Sequence, residues 1–200
     1  MNKILKKMTK IKKRKAILIF GPAGSGKTST AKRIAKNKGW TYFSEDEYWA
    51  KLKKGKPSEE LRTNEEQKII WKKVLKDIKN AFNKKHNVVL EFLVYEDPPK
   101  PLLFYKKELL KLKAEILVKI LKPEFKIILD RRMKRNAIHD KSFFKRRKNN
   151  EPCVEYLQLE VLGSNHIKKK WIIKDTGYTI EEVYQKFFSE FIEGKEYLKK

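Results

Sequence analysis

Short apolar runs alternate along this chain with longer segments in which apolar side chains recur every three or four residues. The short runs are rich in branched and aromatic side chains, as buried strands are. They occupy residues 16–20, 40–43, 88–95, 114–121 and 171–173. Helical spacing occurs at residues 27–38, 45–52, 64–82, 102–113, 123–135, 152–162 and 179–192. Strands that alternate with helices require a parallel sheet covered on both faces, so we predict an α/β protein.

Prolines and a capping signature refine these boundaries. The sequence DPPKP at 97–101 predicts a loop, because proline lacks a backbone N–H and disfavours helix in the preceding residue. Pro123 is predicted in the first turn of the helix at 123–135, where no N–H is needed. Thr179 followed by Glu182 forms a capping box and marks the start of the last helix.

The length and composition fit one domain, since 200 residues with 40% hydrophobic content can bury a continuous core. We assign it residues 16–193, with a basic N-terminal tail at 1–15 and a C-terminal tail at 194–200. The apolar runs fall far short of the roughly 18 residues of a membrane span, so we predict no transmembrane segment. The single cysteine, Cys153, cannot form an internal disulfide, which favours a reducing compartment such as the cytoplasm. Nothing in the sequence indicates an oligomeric state.

The charge is strongly unbalanced, with 50 basic and 25 acidic side chains and a net charge of +25. The first acid is Glu45, so the first 44 residues carry no negative charge. Such a surface attracts polyanions and makes nucleic acid a candidate partner. The competing interpretation is a biased, lysine-rich composition spread over solvated faces. The sequence alone leaves both open.

A phosphate-binding motif follows the first predicted strand. Residues 21–28, GPAGSGKT, satisfy G-x-x-x-x-G-K-T between a strand and a helix. The glycines let backbone N–H groups turn towards phosphate oxygens, and the following helix adds the positive end of its dipole. Lys27 is placed to reach the outer phosphates, and the Thr28 hydroxyl is placed to bind Mg²⁺. The predicted nucleotide-binding residues of the loop are Gly21, Pro22, Ala23, Gly24, Ser25, Gly26, Lys27, Thr28 and Ser29.

With this loop the chain resembles the P-loop kinases of the adenylate kinase, shikimate kinase, gluconate kinase and chloramphenicol phosphotransferase type, over about residues 16–193. The resemblance implies a P-loop NTPase fold, namely a three-layer α/β/α sandwich with a five-stranded parallel sheet, and ATP and Mg²⁺ as cofactors. In these kinases the second strand ends in an acid that binds or deprotonates the acceptor. The matching segment WTYFSEDEY supplies Asp46, with Glu45 as the alternative. The competing interpretation is that these acids only cap a helix. Arg62 is expected in the acceptor pocket.

The same resemblance implies roles for residues further along the chain. The acid that orients Mg²⁺ or its waters on the third strand corresponds to Glu91 in VVLEFLVY, where the family more often has Asp. An edge-facing side chain is the competing interpretation. The family's lid arginines correspond to Arg131 and Arg135, four residues apart, together with Arg132, in a basic lid at about 131–150. A solvated basic segment is the alternative there. Asp175 and Thr176, in WIIKDTGYTIEEV, are expected near the adenine.

The leading hypothesis is therefore an ATP- and Mg²⁺-dependent phosphotransferase that acts on a small molecule or a nucleotide. In it Lys27, Arg131 and Arg135 neutralise phosphate charge, and Asp46 orients the acceptor. A kinase for a polynucleotide or a tRNA-linked group is one alternative, and an RNA-bound P-loop ATPase without an acceptor is another.

Overall fold

Five parallel strands form one sheet at the centre of the protein. The computed structural model describes residues 13–52, 63–94, 96–135, 161–175 and 177–194. The strands are β1 (Lys15–Phe20), β2 (Trp40–Ser44), β3 (Asn87–Phe92), β4 (Glu115–Pro123) and β5 (Ile172–Asp175). Their order in the sheet is β2-β3-β1-β4-β5, and every pairing is parallel. The predicted α/β class and the five-stranded parallel sheet are therefore confirmed.

Helices connect these strands, as parallel pairing requires. Within the described residues they are α1 (Lys27–Ala35), α2 (Glu45–Leu52), α3 (Asn64–Asn83), α4 (Lys100–Lys111), α5 (Phe125–Arg135), α6 (Ile180–Phe187) and α7 (Ser189–Glu193). Two short 3-10 helices lie at Val161–Gly163 and Lys169–Trp171. No helix in these parts of the chain is both long and apolar enough to cross a membrane.

Two apolar clusters pack on opposite faces of the sheet, which gives the three-layer architecture. Ala16, Leu18 and Phe20 of β1 belong to the cluster formed with α2, α3 and α4. Ile17 and Ile19 belong to the other cluster, which is formed with α1 and α6. Because successive side chains of a strand point to opposite faces, the continuous apolar run of β1 serves both cores.

A capping box marks where α6 begins, and a charged pair links α6 to α1. The predicted capping box is present, since Thr179 N–H donates to Glu182 at 2.8 Å and Glu182 N–H donates to Thr179 at 3.2 Å. Arg33 of α1 donates two hydrogen bonds to Glu181 of α6, at 2.6 and 2.9 Å. These bonds lower the pKa of the Glu181 carboxyl to about 2. The same pair fixes α6 against the helix that follows the phosphate-binding motif.

The proline-based boundaries were partly wrong. Helix α4 begins at Lys100, so Pro101 lies in its first turn rather than in a loop; the first turn needs no N–H from proline. Pro123 is the last residue of β4, where it pairs with Asp175, rather than the start of a helix. Proline is tolerated at such a position because the ladder ends there. The helix predicted at 179–192 is interrupted at Phe188, between α6 and α7.

Several predictions lie outside the described residues. These are most of both tails, Arg62, the lid beyond residue 135, Cys153, the greater part of the helix at 152–162, and Thr176. The domain boundaries stay predictions.

Candidate active site

The loop between β1 and α1 has the conformation that its glycines permit. The φ angles of Gly21, Gly24 and Gly26 are +150°, +83° and +94°, which side chains other than glycine rarely adopt. Ser25 N–H donates to the carbonyl of Pro22 at 3.1 Å, which closes a turn inside the loop. A loop of this shape, followed directly by a helix N-terminus, presents backbone N–H groups to an anion.

Two side chains of the loop fit the phosphates of a nucleotide. Ser25 is 3% exposed, and its Oγ has no hydrogen-bond partner within the described ranges. An unpaired buried hydroxyl is costly, and a phosphate oxygen would satisfy it. Lys27 is buried, and its Nζ donates to the carbonyl of Pro22 at 3.1 Å, so its charge lies over the loop.

The Thr28 hydroxyl lies against the carboxylate of Glu91, on the neighbouring strand β3. Thr28 Oγ1 is 3.0 and 2.9 Å from the two carboxylate oxygens. Glu91 is 4% exposed and pairs with Ile19 in the sheet, so it faces inward and is not an edge-facing side chain. A hydroxyl that donates its proton to a carboxylate keeps its lone pairs for a cation. The pair therefore fits Mg²⁺, which takes oxygen ligands and usually keeps waters and substrate phosphates in its shell.

Tyr42 is a third member of this cluster and was missed by the sequence reasoning. Its hydroxyl donates a short hydrogen bond to Glu91. Burial, and then the bond to Glu91, raise the pKa of the Tyr42 hydroxyl well above its usual value, so it keeps its proton. An aromatic residue in a short strand carries no sequence signal for this contact.

Helix α5 brings its three predicted arginines to the same loop. Arg131 Nη1 donates to the carbonyl of Ser25 at 3.3 Å. Arg132 is 4% exposed and packs closely on the loop. A Cβ added at Gly24 would lie 3.3 Å from Arg132 Cγ. Arg135 is exposed and, with the other two, lines a cavity of about 280 Å³ over residues 24–30. The arginines and the loop therefore enclose one strongly basic space.

Part of the lining of this cavity is an apolar wall. It is formed by Leu121, Ile173, Tyr178, Ile180 and Val183. Tyr178 follows β5 by three residues, and Lys186 Nζ lies 3.8 Å from the centre of its ring. The sequence had pointed instead to Asp175, which ends β5, and to Thr176. An apolar wall beside a basic one suits a ligand with a flat base at one end and phosphates at the other.

Comparisons with known proteins agree with this architecture. Residues 17–98, fewer than half of the chain, match the family profile described as AAA domain. A search of curated protein sequences finds no match. The chain is similar to the tunicamycin resistance protein of Deinococcus radiodurans (15% identity, TM-score 0.61, 88% of this chain and 95% of that chain). It is also similar to the APS kinase of Mycobacterium tuberculosis in complex with AMPPNP and APS (12% identity, TM-score 0.61, 92% of this chain and 99% of that chain). A chain of the Pnkp1/Rnl/Hen1 RNA repair complex gives 17% identity, a TM-score of 0.55, and coverage of 86% and 53%.

The chain has the fold of the P-loop kinases. Identities of 12 to 17% show the fold alone. The resemblance predicted from the sequence is confirmed at that level, with the motif in the loop between the first strand and the first helix.

The P-loop kinase fold places the two candidate acceptor acids at the carboxyl end of β2, where they differ in exposure. Glu45 is 2% exposed and accepts a hydrogen bond from the Tyr105 hydroxyl at 2.6 Å. Burial, and then the charge and hydrogen bond of Glu45, raise the pKa of that hydroxyl. Asp46 is exposed in the first turn of α2. Glu45 therefore anchors α2 to α4, and Asp46 is the acid that faces solvent.

We expect Gly21→Ala to destabilise the P-loop kinase fold. An added Cβ would lie 2.3 Å from the carbonyl oxygen of Leu121, and the φ of +150° disfavours a side chain. The free energy of unfolding should fall by about 2 kcal/mol or more, as measured by urea denaturation. Gly163→Ala is the control, because no described residue beyond its two chain neighbours has an atom within 4 Å of the added Cβ. Equal stability of the two variants would contradict the close packing of the loop.

Proposed function

We propose that the protein is an ATP- and Mg²⁺-dependent phosphotransferase, which transfers the γ-phosphate to a hydroxyl or phosphate of a small molecule or nucleotide. The observation that carries the proposal is the shared cavity, which the phosphate-binding loop, Thr28 and the arginines of α5 line together. A site for nucleotide binding alone needs the loop, whereas phosphoryl transfer also needs cations around the group in transit.

In this proposal the basic residues of the cavity together neutralise the charge of the phosphates. Lys27 binds the outer phosphates as a point charge, while Arg131, Arg132 and Arg135 surround the transferred group from α5. Thr28, whose hydroxyl donates its hydrogen bond to Glu91, would hold Mg²⁺ through its lone pairs. Mg²⁺, when bound, neutralises the phosphate oxygens. The apolar wall that includes Tyr178 would receive the base, and Asp175 and Thr176 are proposed beside it.

Asp46 is proposed as the residue that orients the acceptor. Its exposure at the end of β2 leaves its carboxylate accessible to a second substrate, and a hydroxyl acceptor needs a hydrogen-bond acceptor to aim it at the γ-phosphate. Arg62 is proposed in the same pocket. The burial of Glu45 against Tyr105 favours Asp46 over Glu45 for this role.

An RNA-directed kinase is the second candidate. It is supported by the net charge of +25 and by a depression of about 460 Å³ on the outer face of α3, which includes Lys72, Lys76 and Lys79. However, α3 has five lysines among 20 residues, the same proportion as 50 basic residues among 200. The basic residues of α3 are therefore no denser than those of the chain as a whole, so this helix gives RNA no separate support, and we favour a compact acceptor.

Lys27→Ala should reduce phosphate transfer by at least about a hundredfold, because one fixed charge on the transferred group is lost. Transfer is measured with labelled ATP and a panel of nucleotides, sugars, short RNAs and tRNA, which also identifies the acceptor. Lys36→Ala, at the exposed C-terminal end of the same helix, is the control and should transfer normally. Wild-type turnover of Lys27→Ala would rule out the proposed phosphate site.

Asp46→Asn should lower transfer to the identified acceptor by about a hundredfold or more, because the amide accepts a proton poorly. Slow ATP hydrolysis without acceptor should stay close to the wild-type rate, since Asp46 is not proposed to contact ATP. The adjacent exposed acid provides the control, Glu47→Gln. If the two activities of Asp46→Asn fell together, its role would lie with the nucleotide and not the acceptor.

Salt dependence separates the two candidate acceptors. A polymer that contacts six or more phosphates should lose roughly a thousandfold in affinity between about 50 and 200 mM salt. A compact acceptor held by a few charges should change far less, and we expect this shallow dependence for the acceptor identified with labelled ATP. A steep slope would favour the RNA-directed kinase.

A further inference from the structure

The register of the sheet brings Tyr42 to Glu91. In the pairing of β2 with β3, Tyr42 lies opposite Val89 and Ser44 lies opposite Glu91. Side chains two residues apart share a face, so Val89 and Glu91 point the same way. Val89 belongs to the cluster that packs with α1, and Tyr42 packs against that cluster. Tyr42, Glu91 and Thr28 of α1 therefore meet between the sheet and α1.

The Glu91 carboxylate is held by two neutral donors. Tyr42 donates to Oε1, and Thr28 Oγ1 lies within 3.0 Å of both oxygens. Across the described ranges, Glu91 has no lysine or arginine at ion-pair distance. A buried carboxylate is costly unless it is hydrogen-bonded, so these two hydroxyls must supply much of what water would give.

The two donors are not equivalent, because Thr28 would also be a metal ligand. A threonine hydroxyl has one proton. Only when the hydroxyl donates its hydrogen bond to Glu91 do its lone pairs point elsewhere. A glutamate side chain rotates about three bonds and loses substantial rotamer freedom when it is fixed. The hydrogen bond from Tyr42 restrains one oxygen of the Glu91 carboxylate. Tyr42 itself lies in the partly buried strand β2, and Lys32 Nζ is 5.8 Å from the centre of its ring.

We propose that Tyr42 is a positioning residue for the metal site: it fixes the Glu91 carboxylate so that Thr28 presents its lone pairs to a divalent cation. This inference rests on the proposed function. Partners of this kind, which orient a ligand without touching the metal, typically change metal affinity by about 10- to 100-fold when they are removed.

The test is Tyr42→Phe, which removes one hydroxyl and keeps the ring. Binding of ATP is measured by calorimetry, first in EDTA and then at increasing Mg²⁺. We expect the Mg²⁺ concentration that gives half of the full change in ATP affinity to rise about tenfold. The affinity for ATP in EDTA should stay unchanged. A merely structural role would weaken both or neither. An unchanged Mg²⁺ dependence would overturn the inference.

Two further variants show whether Tyr42 acts through Glu91. In a Glu91→Ala background, Tyr42→Phe should have no additional effect on Mg²⁺ dependence, because no side-chain oxygen remains at position 91 to accept the bond from Tyr42. Full additivity would overturn the inference. Tyr184→Phe is the control, since its hydroxyl also contacts a carboxylate, that of Glu193 at 3.2 Å, outside the cavity lining. It should keep the wild-type Mg²⁺ dependence.

The same titrations separate this inference from the proposed function. If wild-type protein bound no ATP, or bound it equally well with and without Mg²⁺, the proposed metal-dependent transfer would fail and the role of Tyr42 with it. If wild-type binding required Mg²⁺ and Tyr42→Phe matched it, only the role of Tyr42 would be wrong.

Discussion

The close approach of the phosphate-binding loop to β4 and α5 is the contact on which the candidate site depends. A Cβ at Gly21 would be 2.3 Å from the Leu121 carbonyl, and one at Gly24 would be 3.3 Å from side-chain atoms of Ile128 and Arg132. Only glycine allows the backbone to pass so close to another element. Because the loop lies against α5, Arg131 can reach the Ser25 carbonyl. The glycines of the loop thus fix the position of the arginines relative to the loop.

This packing gathers like charges at a cost. Lys27 and the three arginines line one cavity of about 280 Å³, next to the N-terminus of α1, with Glu91 as the nearby buried carboxylate. Like charges held close together in a partly dry space repel each other. A polyanion relieves that repulsion, and its binding then contributes to the stability of the folded state. The repulsion among these basic groups and the triphosphate binding proposed for the site would therefore have one physical origin.

The strands and the loop could be predicted because their signals are local. The apolar run at 16–20 and the spacing of glycines, lysine and threonine at 21–28 each lie within a few residues and adjoin each other, so each supports the interpretation of the other. Pro123 was misassigned because its pairing with Asp175 depends on which strands are neighbours, and a helix-start signal is the stronger local pattern. Tyr42 was missed for the same reason: it meets Glu91 through the β2–β3 register, 49 residues apart in sequence. Contacts set by topology carry no mark in the sequence.

The strand order also accounts for how two substrates could meet. The loop follows β1 and Asp46 follows β2, while β3 lies between them and carries Glu91. Neighbouring strands lie about 4.8 Å apart, so two strand steps separate the loop from Asp46 by roughly 10 Å. That gap can hold a phosphoryl group and an acceptor hydroxyl in line, with the Thr28–Glu91 pair alongside. The bond from Tyr105 to Glu45 holds the residue that follows β2 against α4, next to Asp46. If Asp46 orients the acceptor as proposed, the residues around it can change without altering the loop after β1, which is one way in which a single fold can serve many acceptors.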